Sequence, residues 1–286
     1  MSRIAYVNGR YLPHRRAMVH VEDRGFQFAD GAYEVIAVRG GGFLDEGPHL
    51  RRLHRSLSAL QIAPPMSDAA LKSVMRETVR RNRVSAGMLY IQVTRGSAPR
   101  EFAFPATARP TLVMTARNLK PLDPKLLTDG VRVITVPDIR WARPDIKSVA
   151  LLPNALGKQR AKEVGAYEAW QVDRDGNVTE GTSSNAWIVT AQDEIITRHA
   201  DQGILNGVTR LGILKVAGEA GLKLIERSFS VAEAKAAREA FLTSTTNFIV
   251  PVVRIDDVNL GEGRPGKLAG RLRALYDDYV AAGGGK

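Results

Sequence analysis

Cysteine is absent from the 286-residue sequence. This absence excludes disulfide bonds, thiolate metal sites and cysteine nucleophiles, and it is typical of a cytoplasmic protein. No stretch approaches the roughly 18 consecutive apolar residues that a membrane-spanning helix needs. The first residues, MSRIAYVNGRYLPHRR, also lack the apolar segment of a secretory signal. We therefore expect a cytoplasmic protein that does not enter a membrane.

Aromatic residues are scarce, at 6%, whereas the net charge is +11. The basic residues form short clusters at residues 14–16, 50–55 and 80–83. A nucleic-acid-binding protein is one interpretation of such a charge. Because no basic stripe is interleaved with aromatic residues that could stack on bases, we expect no nucleic-acid partner. Some of these arginines are better explained by an anionic ligand or an acidic substrate.

The motifs of several common enzyme classes are missing as well. The sequence has no glycine-rich dinucleotide fingerprint, no P-loop, no H-E-x-x-H pair and no G-x-S-x-G elbow. Its five histidines show no spacing typical of metal ligands, so no metal site is expected. These absences exclude many nucleotide-binding, zinc-dependent and serine-hydrolase mechanisms.

Hydrophobic periodicity predicts an α+β protein of two domains. Asn8-Gly9 indicates a hairpin turn, and leucines at 50, 53, 57 and 60 form a helical stripe. Further helices are predicted after Ser67, over about 154–164 and over 207–221. Between the first strands and these later helices, the turn-rich segment NLKPLDPK at 118–125 contains two prolines, which indicates a linker. We place a small N-terminal domain at 1–118, the linker at 119–127 and the C-terminal domain at 128–286.

Small polar residues concentrate in three segments that could surround a phosphate. They are NVTEGTSSNAW at 177–187, LNGVTR at 205–210 and FLTSTTNF at 241–248. Hydroxyls and free backbone N–H groups at such turns can converge on an anion. A lysine, Lys147, also heads the mostly apolar stretch after RPDI. A lysine, an acid and a phosphate cup together are what pyridoxal phosphate requires.

Eight motifs make this interpretation specific, and their order and spacing agree with one family. The sequence resembles the D-amino-acid and branched-chain aminotransferases, the pyridoxal-phosphate enzymes of fold type IV, and is most similar to the D-amino-acid transaminase branch. The resemblance implies a smaller N-terminal α/β domain and a larger C-terminal domain with a barrel-like β core. The motifs are YVNG at 6–9, DRGFQFADGAYEV at 23–35, HLRRL at 49–53, VTRG at 93–96, DIKSVALLPN at 145–154, VTEGTSSN at 178–185, ILNGVTR at 204–210 and LTSTT at 242–246.

The resemblance assigns roles to residues that these motifs contain. Lys147 would be the catalytic lysine, which bonds to the cofactor and later moves a proton, and an apolar neighbourhood would favour its neutral amine. Glu180 would pair with the pyridine nitrogen. The remaining cofactor contacts would come from residues that hold the phosphate or cover the ring: Arg52, Leu205, Val208, Thr209, Ser244 and Thr245. Arg140, seven residues before the lysine, would support the cofactor edge.

Substrate contacts are implied for Tyr33, Arg100 and Phe102. Tyr33 matches a tyrosine of the family's substrate pocket, although a core aromatic is an equal interpretation. D-amino-acid transaminases commonly carry an Arg-x-His pair, supplied from the partner subunit, to hold the substrate carboxylate. Here Phe102 stands where the histidine is expected, and Arg100 is in place. Phenylalanine in place of histidine removes a hydrogen-bond donor, which weakens the binding of the substrate carboxylate. It offers an apolar contact instead.

We therefore expect a homodimeric transaminase that moves an amino group from a D-amino acid, such as D-alanine, to a 2-oxo acid, such as 2-oxoglutarate or pyruvate, by a ping-pong mechanism. A transaminase for branched-chain L-amino acids or for (R)-amines remains an alternative, because in this family the same lysine, glutamate and phosphate cup act on both D and L substrates. An aminodeoxychorismate lyase shares most of the cofactor motif. The alternative from another class is a basic nucleic-acid-binding protein.

Overall fold

Two β-sheets organise the chain, and each lies in its own unit of the computed structural model, which describes residues 3–284. Unit 1 extends to Lys120 and also includes Ile146–Ala150. Unit 2 consists of Pro121–Asp145 and Leu151–Gly284. The short segment that carries Lys147 therefore packs in unit 1, although it follows the predicted linker in the sequence.

Unit 1 is a six-stranded antiparallel sheet with two long helices. The strand order is β2-β1-β6-β5-β3-β4. The predicted leucine stripe lies on α2, where Leu50, Leu53 and Leu57 are buried in the core of the unit. The elements are β1 (Ile4–Val7), β2 (Arg10–Pro13), a 3-10 turn (His14–Arg16), α1 (Arg24–Phe28), β3 (Gly31–Arg39), β4 (Gly42–Phe43), α2 (Glu46–Ala59), α3 (Asp68–Arg81), β5 (Ala86–Thr94) and β6 (Thr111–Asn118).

Unit 2 is a mixed nine-stranded sheet with five helices among its described residues. Its first half contains α4 (Lys125–Thr128), β7 (Val131–Pro137), α5 (Leu152–Glu163), β8 (Glu168–Val172), β9 (Val178–Gly181), β10 (Asn185–Val189) and β11 (Ile195–Thr197). Its second half contains α6 (Val208–Glu219), β12 (Leu224–Glu226), α7 (Val231–Ala236), β13 (Glu239–Ser244), β14 (Phe248–Ile255), β15 (Val258–Asn259) and α8 (Lys267–Ala281).

The sheet of unit 2 curls on itself. Its strand order is β12-β11-β10-β13-β14-β7-β8-β9, and β15 pairs with β14. β9 ends this path, yet a tight turn joins it directly to β10, where Gly181 N–H donates to the Ser184 carbonyl at 2.7 Å. The end strand therefore returns towards the other side of its own sheet. This curl agrees with the expected barrel-like core, and the predicted α+β class is confirmed.

Local signals placed the turns and helix ends well. Asn8 and Gly9 have φ angles of 44° and 89°, which a tight hairpin turn requires. The Ser67 side chain caps α3 by accepting from the Ala70 N–H. The helix expected from about 154 begins earlier, at Leu152, because Pro153 fits the first turn of a helix. Across residues 3–284, no helix is long and apolar enough to cross a membrane.

Candidate active site

The backbone around Lys147 is held along the edge of β3 by an isolated β-bridge between Ala32 and Ser148. The Lys147 carbonyl accepts from Tyr33 N–H at 3.0 Å, and Val149 N–H donates to the Gly31 carbonyl at 3.0 Å. From the neighbouring helix α2, the Ser56 hydroxyl accepts the Lys147 N–H at 3.2 Å. The position of the lysine is therefore fixed by the sheet and by a helix of unit 1.

The Lys147 amine lies over an aromatic ring. Its Nζ is 4.2 Å from the ring centroid of Tyr33, and Tyr33 stacks on Tyr90. Burial and the adjacent Tyr33 raise the pKa of Tyr90 to about 12, so this ring stays neutral. Lys147 is half-buried against the face of Tyr33, and the effect of this neighbourhood on its amine stays a prediction.

Arg52 is locked by a buried carboxylate on the opposite face of β3 from Tyr33. Glu34 Oε1 accepts from Arg52 Nε at 2.7 Å, and Oε2 accepts from Nη2 at 2.8 Å. His49 Nδ1 also lies 2.9 Å from Oε2. Burial alone would raise the pKa of Glu34, but Arg52 and His49 hold it well below its ordinary value. The plane of the Arg52 guanidinium is therefore fixed.

Glu180, in unit 2, is a buried carboxylate surrounded by donors. Its Oε1 accepts from Arg140 Nη1 and from the Leu205 N–H at 3.0 Å. Its Oε2 accepts from the Asn185 side chain at 3.0 Å. Three N–H donors therefore converge on the two oxygens of Glu180, and one of them, Arg140, carries a positive charge.

Arg140 is held in turn by a second carboxylate, Asp138. Asp138 accepts from Arg140 Nη2 at 2.6 Å and from the Thr179 hydroxyl at 2.8 Å. Burial alone would raise the pKa of Asp138, yet Arg140 and Thr179 keep it below its ordinary value. Burial would likewise lower the pKa of Arg140, but Asp138 and Glu180 raise it. Arg140 therefore lies between two carboxylates, and its predicted support of the cofactor edge stays a prediction.

Asn185 connects Glu180 with the two polar segments predicted to hold a phosphate. Its amide donates to the Leu205 carbonyl at 2.9 Å, and a Cβ on Gly207 would lie 2.2 Å from its Oδ1. On the next strand, Asn185 pairs with Thr243. Unit 2 therefore brings the acid, Leu205, the start of α6 and the polar turn after β13 into one neighbourhood.

The first turn of α6 and the turn between β13 and β14 offer donors to an anion. Gly207 caps α6 without a side-chain hydrogen bond, and the next residues are Val208 and Thr209. Backbone N–H groups in the first turn of a helix attract anions. Ser244 ends β13, and Thr245 begins the turn that follows it. These residues fit the phosphate end of the predicted cofactor in chemistry.

Arg100 and Phe102 lie apart from Tyr33 in sequence, in the connection between β5 and β6 of unit 1. Both contact Phe28, since Arg100 lies 4.7 Å from its ring centroid and the Phe102 ring lies 5.5 Å away. Phe102 is 81% exposed. Their predicted contact with substrate stays a prediction.

Sequence reasoning missed Glu168, which orders the turn after Glu180. The buried Glu168 carboxylate accepts from the hydroxyls of Thr182, Ser183 and Ser184, the last two at 2.8 and 3.4 Å. Glu168 lies in the short sequence YEA at 167–169, in which nothing indicates a role for the glutamate. The turn that joins Glu180 to Asn185 is thus built around a carboxylate from β8.

Comparison with known proteins decides the family. Residues 31–255 match the model of the family described as amino-transferase class IV. The chain belongs to the class IV aminotransferase family. A D-alanine aminotransferase of Bacillus licheniformis is 40% identical over 273 residues, covering 96% of this chain and 95% of that protein. One of Listeria monocytogenes serotype 4b is 36% identical over 277 residues, with coverages of 96% and 95%.

The fold of this aminotransferase is also found among solved structures. The branched-chain amino acid aminotransferase of Escherichia coli superposes with a TM-score of 0.91 at 21% identity, covering all of this chain and 97% of the other. At this identity the likeness establishes the fold alone. The predictions of a fold type IV architecture, of an aminotransferase acting on amino acids and of pyridoxal phosphate as its cofactor are confirmed.

Proposed function

We propose that this aminotransferase moves the amino group of a D-amino acid, such as D-alanine, to a 2-oxo acid, such as 2-oxoglutarate or pyruvate, by a ping-pong mechanism. The observation that carries the cofactor chemistry is the buried Glu180 carboxylate, held by Arg140, Asn185 and the Leu205 amide. The preference for a D-amino acid is supported by relatives at 36–40% identity that are D-alanine aminotransferases.

The residues present fit pyridoxal phosphate in their chemistry. Bound cofactor supplies an aldehyde carbon that takes up the amino group and a protonated ring that accepts electrons from the substrate Cα. Glu180 would accept a hydrogen bond from the ring nitrogen and so favour its protonated form. Arg140 places a positive charge beside Glu180, and Leu205 would pack against the ring.

The phosphate would be held by backbone N–H groups, hydroxyls and one guanidinium. Val208 and Thr209 would donate backbone N–H groups from the first turn of α6. The hydroxyls of Thr209, Ser244 and Thr245 would add neutral donors, and Arg52 would add the positive charge. Because Glu34 fixes the guanidinium of Arg52 by two hydrogen bonds, this arginine loses little conformational freedom when it binds an anion.

Lys147 is the residue that bonds to the cofactor and moves the proton. The backbone of Lys147 is hydrogen-bonded to Tyr33 and Ser56, so its side chain moves about a fixed Cα position. Once substrate has displaced it, the amine of Lys147 would act as the general acid and base that moves a proton between the substrate Cα and the cofactor. The ring of Tyr33, 4.2 Å from Nζ, limits the positions of the amine and lines the substrate pocket.

We assign the substrate carboxylate to Arg100 and the contact beside it to Phe102, both acting in the active site of the partner subunit of a cytoplasmic homodimer. Support for a dimer comes from large apolar side chains that unit 1 exposes: Met18, Val19, Val21, Phe26, Phe102 and Phe104. Exposed apolar residues in such numbers are typical of an interface. Sedimentation velocity should give twice the chain mass, whereas a fully active monomer would contradict the assignment of Arg100.

The test of the proposed function is the visible absorption spectrum of the purified enzyme. The band of lysine-bound cofactor should disappear when D-alanine is added without an acceptor, and it should return with 2-oxoglutarate or pyruvate. L-leucine should leave it unchanged. Conversion by L-leucine alone would replace the D-amino-acid assignment with the branched-chain one. The lack of any band after pyridoxal phosphate is supplied would contradict the enzyme mechanism.

A further inference from the structure

Arg24 is a buried arginine of unit 1 that the proposed chemistry does not use. Its side chain is 3% exposed, and its Nε donates to Asp30 at 2.8 Å. We propose that Arg24 is a positioning residue, which holds the connection between β5 and β6 so that Arg100 and Phe102 are correctly placed. This inference rests on the proposed function, in which those two residues contact substrate.

The guanidinium of Arg24 holds the backbone on both sides of Phe102. Its Nη1 donates to the Glu101 carbonyl at 2.5 Å and lies 3.5 Å from that of Ala103. Its Nη2 donates to the Phe102 carbonyl at 3.3 Å. A planar guanidinium can serve several acceptors at once, whereas a lysine amine is a single point of charge. Arg24 therefore fixes the backbone from which the Phe102 side chain projects.

Asp30 ties Arg24 to the body of the unit through a second arginine. Asp30 accepts from Arg95 Nε at 2.7 Å and from Nη2 at 3.0 Å. Arg95 also donates to the Leu60 carbonyl at 2.7 Å, just after α2. The guanidinium carbon of Arg95 lies 3.6 Å from the ring centroid of Phe104, which belongs to the same connection. The ion-pair cluster Arg24–Asp30–Arg95 thus braces the connection at two points.

Phe28 lies between Arg24 and the two side chains that are proposed to contact substrate, Arg100 and Phe102. Its ring centroid is 4.7 Å from the guanidinium carbons of both Arg24 and Arg100. The Phe102 ring packs on it at 5.5 Å. A shift of Arg24 therefore displaces Arg100 and Phe102 together, while Tyr33 and Lys147 keep their own hydrogen bonds in the sheet.

Arg24→Lys tests the brace, because it keeps the charge opposite Asp30 and removes the planar donor set. We expect KM for D-alanine to rise about tenfold, the effect of one charge-assisted hydrogen bond, with kcat and the cofactor absorption band little changed. In an Arg100→Gln background, Arg24→Lys should add no further rise, because it acts through Arg100. Losses that multiply, or a fall in kcat with KM unchanged, would overturn the proposal.

Limited trypsin digestion tests the brace without reference to activity. Cleavage after Arg100, identified by mass spectrometry, should be about tenfold faster in Arg24→Lys than in the wild type, since the connection opens more often. Arg81→Lys, at an exposed helix position, is the matched control and should be cleaved there at the wild-type rate. Equal rates in Arg24→Lys and Arg81→Lys would overturn the brace. Faster cleavage of Arg24→Lys in an enzyme that does not react with D-alanine would support the brace and refute the proposed function.

Discussion

Glu34→Gln removes the negative charge from the buried Glu34–Arg52 ion pair. Glu34 is fully buried, and Arg52 beside it is 8% exposed. Glutamine keeps the size of the side chain but leaves the Arg52 guanidinium without its counter-charge. Breaking a buried pair from one side costs about 3–5 kcal/mol. We therefore expect the free energy of unfolding of unit 1 to fall by that amount.

Hydrogen exchange measured by mass spectrometry over a urea series gives the stability of unit 1 separately from unit 2. Peptides from β3 and α2 should lose protection at a urea concentration lower by on the order of 1–2 M. The matched control is Glu77→Gln, which removes a partly exposed surface carboxylate paired with Arg80 and Arg81 and should leave these peptides unchanged. Equal behaviour of the two variants would refute the reasoning.

The pH dependence has a defined sign. The folded-state pKa of Glu34 lies below its ordinary value, so its stabilising effect is fully present above the pKa of the unfolded chain, about 4.3. This effect is lost as pH falls through the folded pKa. The difference in stability between wild type and Glu34→Gln should therefore be constant near neutral pH and narrow only in acid. A difference that narrows near pH 7 would implicate another group.

Three variants of unit 2 give further predictions. Arg140→Met removes the cation beside Glu180, so the dissociation constant of pyridoxal phosphate, measured by absorption titration, should rise at least about tenfold; unchanged binding would contradict the role of this pair. Gly207→Ala places a Cβ 2.2 Å from Asn185 Oδ1 and should likewise weaken cofactor binding. Gly218→Ala, on the same helix with nothing within 4 Å, should instead raise stability by about 0.5–1 kcal/mol with binding unchanged.

Features that depend on neighbouring residues were predictable from the sequence. The Asn8-Gly9 turn and the Ser67 cap follow from local backbone preferences, and both are present. The leucine stripe of α2 follows from helical periodicity. The positions of Lys147 and Glu180 came instead from motifs of the family, which place a residue type without showing what holds it.

The partners of these residues could not be predicted, because distant parts of the chain supply them. Glu180 is held by Arg140, forty positions earlier, and the turn after it by Glu168 on β8. No spacing rule connects such residues, since their meeting depends on strand order. The contact of Lys147 with Tyr33 could not be predicted for the same reason, because it depends on pairing of a distant segment with β3.

The central claim is that Lys147 is the residue that bonds to pyridoxal phosphate. Reduction of the cofactor-loaded enzyme with borohydride fixes the cofactor permanently to the amine that carries it, and peptide mass spectrometry then locates it. The account predicts a pyridoxyl group on Lys147 alone, and no labelled peptide in Lys147→Ala. A label on another lysine of the wild-type enzyme, or a loaded enzyme without any label, would contradict it.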